Sequence, residues 1–171
     1  MKKLVFILLA ALSLDSHAQQ QLTPEQVKQM QEAMARQVQM MRTMVDVKAS
    51  KLGFEETVAA IHTGAQKRGW KQGEPVDMQA VMKAQGFKEV GRMKVVPACP
   101  ADANDKIAKA SAGKSPPLTC RVTVFEGKDG LTYVMRMNLT GMSKLMEGDV
   151  AKAMAEIGAD EDALFKTVLK D

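Results

Sequence analysis

The chain has few aromatic residues, few cysteines and almost no histidine. Aromatic side chains make up 4% of its 171 residues, with one Trp and one Tyr, so it has little from which to build the stacking platforms that bind single-stranded nucleic acid. One of its two histidines, His17, lies in the leader described below, which leaves His62 alone. A single histidine excludes a zinc site with the usual His and Cys spacing, and it gives no basis for a Ser-His-Asp triad.

Long blocks of like charge are also missing. The chain has 24 Lys and Arg against 20 Asp and Glu, for a net charge of +4, and no five consecutive residues share one sign. Proteins that bind nucleic acid usually gather positive charge on one face. The charge pattern therefore predicts an ordinary solvated surface and no nucleic-acid partner.

One apolar run stands out, at residues 4–12, and it is too short for a membrane-spanning helix of roughly 20 residues. Two lysines precede it, and Ser-His-Ala at residues 16–18 offers small residues where a signal peptidase reads. We therefore expect residues 1–18 to be a signal peptide that is cleaved near Ala18. The mature protein is expected in the periplasm or secreted, with no stable membrane insertion.

Methionine is the residue present in excess, with 14 copies. Residues 19–44 are rich in Met and Gln, and Thr23, Pro24 and Gln26 give the signature of a helix start. Apolar residues then follow at helical spacing, namely Val27, Met30, Met34, Val38, Met41 and Val45. This pattern predicts an amphipathic helical arm. Its polar face is mainly Gln and Glu, which favours self-association or docking over a membrane surface.

Residues 45–171 alternate between strand-like and helix-like patterns. Period-two alternation predicts strands at 45–49, 70–72 and 89–98 and a hairpin of 121–125 with 131–137. Helical spacing predicts helices at 54–68, after Asp77, at 143–157 and at 160–169, and a short exposed helix within 101–115. The acidic residues Asp160, Glu161 and Asp162 fit the positive N-terminal end of the last helix. The order predicts an α+β domain in which helices pack on one face of a small antiparallel sheet.

Several short segments, in their order and spacing, resemble the domain-of-unknown-function 302 family. They are Phe-Glu-Glu-Thr-Val at 54–58, Arg-Gly-Trp at 68–70, Ala-Cys-Pro at 98–100, Pro-Leu-Thr-Cys-Arg-Val-Thr-Val-Phe-Glu at 117–126, Tyr-Val-Met-Arg-Met-Asn at 133–138, and residues 141–146. The resemblance implies a small sheet backed by helices, a tendency to form dimers, and no established activity. It does not extend to the arm at residues 22–45.

The two cysteines sit at the ends of predicted strands, Cys99 after one and Cys120 before the next. In an oxidising compartment an even cysteine count favours a structural disulfide, worth about 3 kcal/mol in the chain-entropy model. Alternation along the strands places Cys99 on the face of Met93 and Val95, and Cys120 on the face of Val122 and Val124. A redox-active or sulfur-handling thiol pair, with Arg121 as the one nearby helper, is an alternative, and two unpaired buried thiols are another.

A soft-metal site is the sharper alternative for the sulfur-containing residues. Thiolates and thioethers favour Cu(I), and the candidate ligands are Cys99, Cys120, Met137, Met142 and Met146. Methionine at such positions is more usually adaptable core filling. Parity predicts that Met135 and Met137 share the buried face of their strand with Leu131 and Tyr133.

No residue set in the sequence specifies a reaction. The pair Glu55 and Glu56 suits the first turn of a helix, and Thr57 and Asn138 suit capping or hydrogen bonding at the ends of elements. We therefore predict an exported, soluble binding or structural module that is not an enzyme. It is expected to need no cofactor, to form a homodimer and to bind a small ligand that the sequence does not identify; the alternative is a Cu(I)-binding or sulfur-handling protein.

Overall fold

A computed structural model describes residues 23–170 of the chain. The predicted signal peptide at 1–18 lies outside these residues. The chain divides into two compact units, Met1–Arg36 and Gln37–Asp171. Within the described range, no helix combines the length and the apolar character that crossing a bilayer would require.

The described residues form six helices and six strands, which we number in chain order. They are α1 (Pro24–Met44), β1 (Val45–Ala49), α2 (Phe54–Lys67), β2 (Lys71–Gln72), β3 (Val76–Asp77), α3 (Met78–Ala84), β4 (Met93–Cys99), α4 (Ala103–Ala110), β5 (Arg121–Glu126), β6 (Thr132–Met137), α5 (Leu139–Ser143) and α6 (Gly148–Phe165). The strands are antiparallel in the order β1-β6-β5-β4-β2, and β3 also pairs with β4.

Helix α1 begins as the sequence predicts. The backbone N–H of Gln26 donates to the Thr23 hydroxyl at 3.2 Å, and the backbone N–H of Thr23 donates to the Gln26 side chain at 2.8 Å. These two bonds form the predicted capping box, which satisfies donors that a helix start leaves open. The methionines of the helix, including Met34 and Met41, are exposed.

One face of the sheet is packed against helices, which confirms the predicted α+β fold. Alternate residues of the three central strands point to this side, and they pack with residues of α2 and α6. The main core consists of Val96, Ala98, Val122, Val124 and Val134 from the sheet with Phe54, Val58, Ile61, Leu164 and Phe165 from the helices, together with Ala65, Trp70, Val168 and Leu169. The alternation of buried and accessible positions is the expected pattern of a sheet that is covered on one side.

The prediction for the faces of β6 is wrong. Thr132, Val134 and Arg136 are buried, whereas Leu131 is 43% and Met135 is 38% exposed. Both sets of alternate residues in this strand contain apolar side chains. Because the charged Arg136 belongs to the same set as Val134, the sequence pattern wrongly places that set on the outer face of the sheet. The pairing of Val134 with Val124 places that set against the core.

The prediction of two C-terminal helices with a break near residue 158 is also wrong. Helix α6 runs without interruption through Gly158. A Cβ atom at this glycine would lie 2.6 Å from the backbone nitrogen and the hydroxyl of Thr140. Gly158 therefore permits close packing of α6 on the start of α5, and it does not end a helix.

Candidate functional site

The site centres on Arg136, a basic residue on the buried face of β6 that is 8% exposed. Its Nη2 donates to Asp46 Oδ2 at 3.0 Å and to Asp162 Oδ1, and its Nη1 lies 3.7 Å from Glu161 Oε2. The guanidinium carbon is also 4.8 Å from the centre of the Phe165 ring. One buried arginine thus has three carboxylates and an aromatic ring around it.

Three elements bring these groups together. Asp46 lies on the edge strand β1 and is paired in register with Arg136, so the two side chains share a face of the sheet. Glu161 and Asp162 come from α6, which Gly158 allows to approach α5. The Thr140 hydroxyl donates to Asp162 Oδ2 at 2.8 Å and fixes that carboxylate.

The guanidinium is not fully satisfied by these partners. Its Nε and Nη1 are the buried side-chain atoms of residues 23–170 that make no hydrogen bond within the protein. An unpaired buried donor costs about 1–3 kcal/mol, and more when it carries charge. A strand interior with Val at this position would avoid that cost, so Arg136 is a candidate functional residue.

Glu161 is the second unusual group of the cluster. Burial raises its pKa to about 7; the positive charge of Arg136 acts in the opposite direction, while Asp162 and Asp160 add to the increase. Near neutral pH this carboxyl therefore exists in both protonation states. The net charge of the cluster can therefore change by one unit near pH 7, where few other side chains titrate.

A cleft of about 490 Å³ opens beside the cluster. Arg136, Asp46, Asp162 and Asn138 contribute to its walls, together with four lysines: Lys48, Lys144, Lys166 and Lys170. All four lysines are exposed, and none joins the ion pairs formed among residues 23–170. The volume lies within the range of about 300–1,000 Å³ that is usual for small-molecule sites.

Comparison with known proteins connects this domain to a family. The family model described as "Domain of unknown function DUF302" matches residues 45–168. The chain belongs to this family. The resemblance drawn from the sequence is thereby confirmed, and α1 precedes the DUF302 match.

A solved DUF302 structure has a similar fold. The crystal structure of an uncharacterized conserved DUF302 protein from Bacillus stearothermophilus has a TM-score of 0.60 and 14% sequence identity, covering 72% of this chain and 96% of that chain. At this identity the likeness shows the fold alone. Among curated proteins, none matches this chain.

In this DUF302 protein Cys99 and Cys120 form the predicted disulfide, with their Cα atoms 5.0 Å apart. The β4–β5 ladder ends at the pair Pro97 and Arg121, just before the two cysteines. Cys120 precedes β5, so the alternation of the strand does not fix the direction of its side chain.

Three of the predicted metal ligands lie together and Met146 lies apart. Met137 and Met142 pack with Cys99 against a second hydrophobic cluster, built around Ile107, Leu139 and Ile157. They also line an apolar groove of about 270 Å³ with Met44 and Met135. Met146 is 41% exposed and does not line this groove. Because both sulfurs of the cysteines are bonded to each other, neither is a thiolate in this state.

Two other predicted residues have the structural roles that the sequence suggests. The Asn138 side chain accepts from the backbone N–H of Gly141 at 2.7 Å and caps α5. The buried Thr57 hydroxyl donates to the carbonyl of Gly53 at 2.7 Å and contacts the Ser50 hydroxyl.

Sequence reasoning did not find the Arg136 cluster. The sequence predicts that Asp160, Glu161 and Asp162 begin a helix, whereas they lie in the second half of α6. The sequence of β6 did contain a signal, because Arg136 points to the same side of the strand as the apolar Val134. A charged residue within the apolar set of a strand indicates a buried charge that needs partners.

Proposed function

We propose that this protein is an exported, non-enzymatic binding module that takes a small ligand in the cleft beside Arg136. The observation that carries the proposal is a buried, charged arginine in the wall of a cleft of ligand size. Structural ion pairs in a core are normally closed on all sides. This one adjoins a cleft, and the acidic partners Asp46 and Asp162 are part of its wall.

The disulfide and the leader together support export. A bond between Cys99 and Cys120 persists in an oxidising compartment and is rare in the cytosol. The leader pattern at residues 1–18 is that of a secretory signal. We expect cell fractionation and mass spectrometry to find the mature chain outside the cytoplasm, beginning at Gln19. A full-length chain recovered from the cell interior with two reduced thiols would contradict export.

The cleft is tested by a thermal-shift screen with small neutral, cationic and anionic compounds. Compounds that raise the melting temperature are then added to 15N-labelled protein. We expect the amide chemical shifts of β1, α5 and the end of α6 to change. The Lys144→Trp variant fills the cleft with a bulky ring and should lose these responses.

The matched control is Lys83→Trp, which places the same ring on α3, outside the cleft. Both lysines are exposed, so both variants are expected to fold. Binding that survives in Lys144→Trp, or shifts that fall on other elements, would count against the cleft as the ligand site.

The second candidate function is Cu(I) binding or sulfur handling. The observation that favours it is the apolar groove formed in part by four methionines, Met44, Met135, Met137 and Met142, since thioethers are soft ligands. A free-thiol titration of the folded protein separates the two candidates. Absence of reactive thiol before reduction supports a structural bridge, whereas two thiols that only Cu(I) protects would support the metal site.

A further inference from the structure

We propose that the ligand of the cleft is a small anion that carries two or more negative charges on carboxylate or phosphate groups. This inference rests on the proposed function, because it specifies the chemistry of the ligand for the same cleft. The surface that it uses consists of Lys48, Lys144, Lys166 and Lys170 around the buried Arg136.

The side chains that line the cleft are mainly basic. Five of its side chains are basic and two are acidic, so its lining is strongly positive. The remainder of the chain is nearly balanced, with 19 basic and 18 acidic residues. Concentrating most of the excess positive charge around one concave site raises the local concentration of anions.

The two aspartates do not cancel this charge. Asp46 and Asp162 both accept from Nη2 of Arg136, and Asp162 also accepts from the Thr140 hydroxyl. Their charge is therefore directed at the guanidinium. The lysines join no ion pair among residues 23–170, and they line the same cleft from β1, from the residue after α5 and from the residues after α6.

The lysines of the cleft come from different parts of the chain. Lys48 belongs to β1, Lys144 follows α5, and Lys166 and Lys170 follow α6. An anion with more than one charged group can contact lysines of more than one of these segments.

The test is a titration of the 15N-labelled mature chain with inorganic phosphate, succinate, putrescine and glycerol. We expect phosphate or succinate to bind with a dissociation constant below about 10 mM and to shift amides of β1, α5 and the end of α6. Comparison of these two anions distinguishes a phosphate from a dicarboxylate ligand. Putrescine and glycerol, which are cationic and neutral, should leave those amides unchanged.

The variant Lys144→Gln/Lys166→Gln removes two charges from the cleft and should weaken anion binding about tenfold. The control Lys83→Gln/Lys88→Gln removes the same charge from residues outside the cleft and should bind as the unmodified protein does. Melting curves of both variants verify that they are folded.

Two results would overturn the inference. If neither anion binds with a dissociation constant below about 10 mM, the ligand is not an anion of this kind. If both double variants weaken anion binding equally, the anions respond to general surface charge and not to the cleft. If a neutral or cationic compound from the screen binds in the cleft while the anions do not, the binding function stands and the anionic ligand is wrong.

Discussion

Arg136 and Glu161 illustrate how much a single buried charge depends on its surroundings. Nη1 of the arginine is 3.7 Å from the Glu161 carboxylate, which is longer than a hydrogen bond requires. Burial therefore outweighs the attraction and raises the pKa of Glu161 to about 7. Because of this balance, we expect the stability of the fold to depend on pH.

We expect the free energy of unfolding to contain a contribution from Glu161 that depends on pH. The folded protein keeps this proton up to about pH 7, whereas the unfolded chain releases it near the ordinary pKa of 4.5. The stabilising contribution is therefore complete below pH 4.5 and is lost as pH rises through about 7, amounting to about 3 kcal/mol.

Urea denaturation at several pH values checks this expectation with the Glu161→Gln variant, which is neutral at every pH. The difference in free energy of unfolding between the variant and the unmodified protein should grow in favour of the variant from about pH 5 to about pH 8. The variant Glu156→Gln, which changes an exposed carboxylate of the same helix, serves as the control. A difference for Glu161→Gln that does not change with pH would show that its carboxyl titrates normally.

At the scale of elements, the sequence predicts most of the helices and strands but misplaces the C-terminal helix. Local signals such as the Thr23 capping box and the Asp77 cap, whose side chain accepts from Ala80 N–H, act within a few residues and are visible in the sequence. The role of Gly158 depends on Thr140, which is distant along the chain. Long-range contacts of this kind leave no local pattern, so the candidate site could not be assembled from the sequence.

Gly158→Ala is expected to destabilise the protein although alanine is the better helix former. Helix propensity would gain about 1 kcal/mol, but the new Cβ would lie 2.6 Å from the backbone nitrogen of Thr140. Overpacking of this kind costs about 1–3 kcal/mol, so we expect a net loss of stability in urea denaturation.

The control for this variant is Gly91→Ala, whose added Cβ has its nearest neighbour at 3.7 Å. Its free energy of unfolding should change by less than about 1 kcal/mol. A Gly158→Ala protein that is as stable as the unmodified one would show that α5 and α6 can separate slightly without cost.

The disulfide joins the end of β4 to the residue before β5. Reduction, or the double variant Cys99→Ser/Cys120→Ser, should lower the free energy of unfolding by about 3 kcal/mol because the unfolded chain regains freedom. Urea denaturation with and without a reductant measures this loss. The reductant should have no effect on the double variant, and an equal effect on both proteins would show that it acts elsewhere.

At the scale of the whole molecule, the second face of the sheet is open in the domain that follows Arg36. Val47, Met135, Thr123, Val95 and Val76 form one row across paired strands on this face. Val47 is 49% exposed and Val76 is 43% exposed. An exposed row that is apolar apart from Thr123 often meets a partner, and the homodimer expected from the sequence predicts that a second copy of the chain covers it.

The dimer proposal predicts that Met135→Lys shifts the protein toward monomer, since a charge at the centre of the face would be buried without a partner. Sedimentation equilibrium measures the dissociation constant, which we expect to rise at least about tenfold. Phe87→Lys changes an exposed apolar residue that follows α3 and should leave the constant unchanged. A protein that is monomeric before any substitution would rule out the proposal.

The order of the strands has a consequence for when the protein can acquire its structure. Edge strand β1 pairs with β6, and the ion-paired residues Asp46 and Arg136 are 90 positions apart in the chain. During synthesis the N-terminal part therefore emerges from the ribosome long before the strand that it joins, and pairing over such a separation is slow. Under the export proposed above, a chain that crosses a translocation channel unfolded would gain time from this arrangement, because its sheet cannot be completed until β6 has been made.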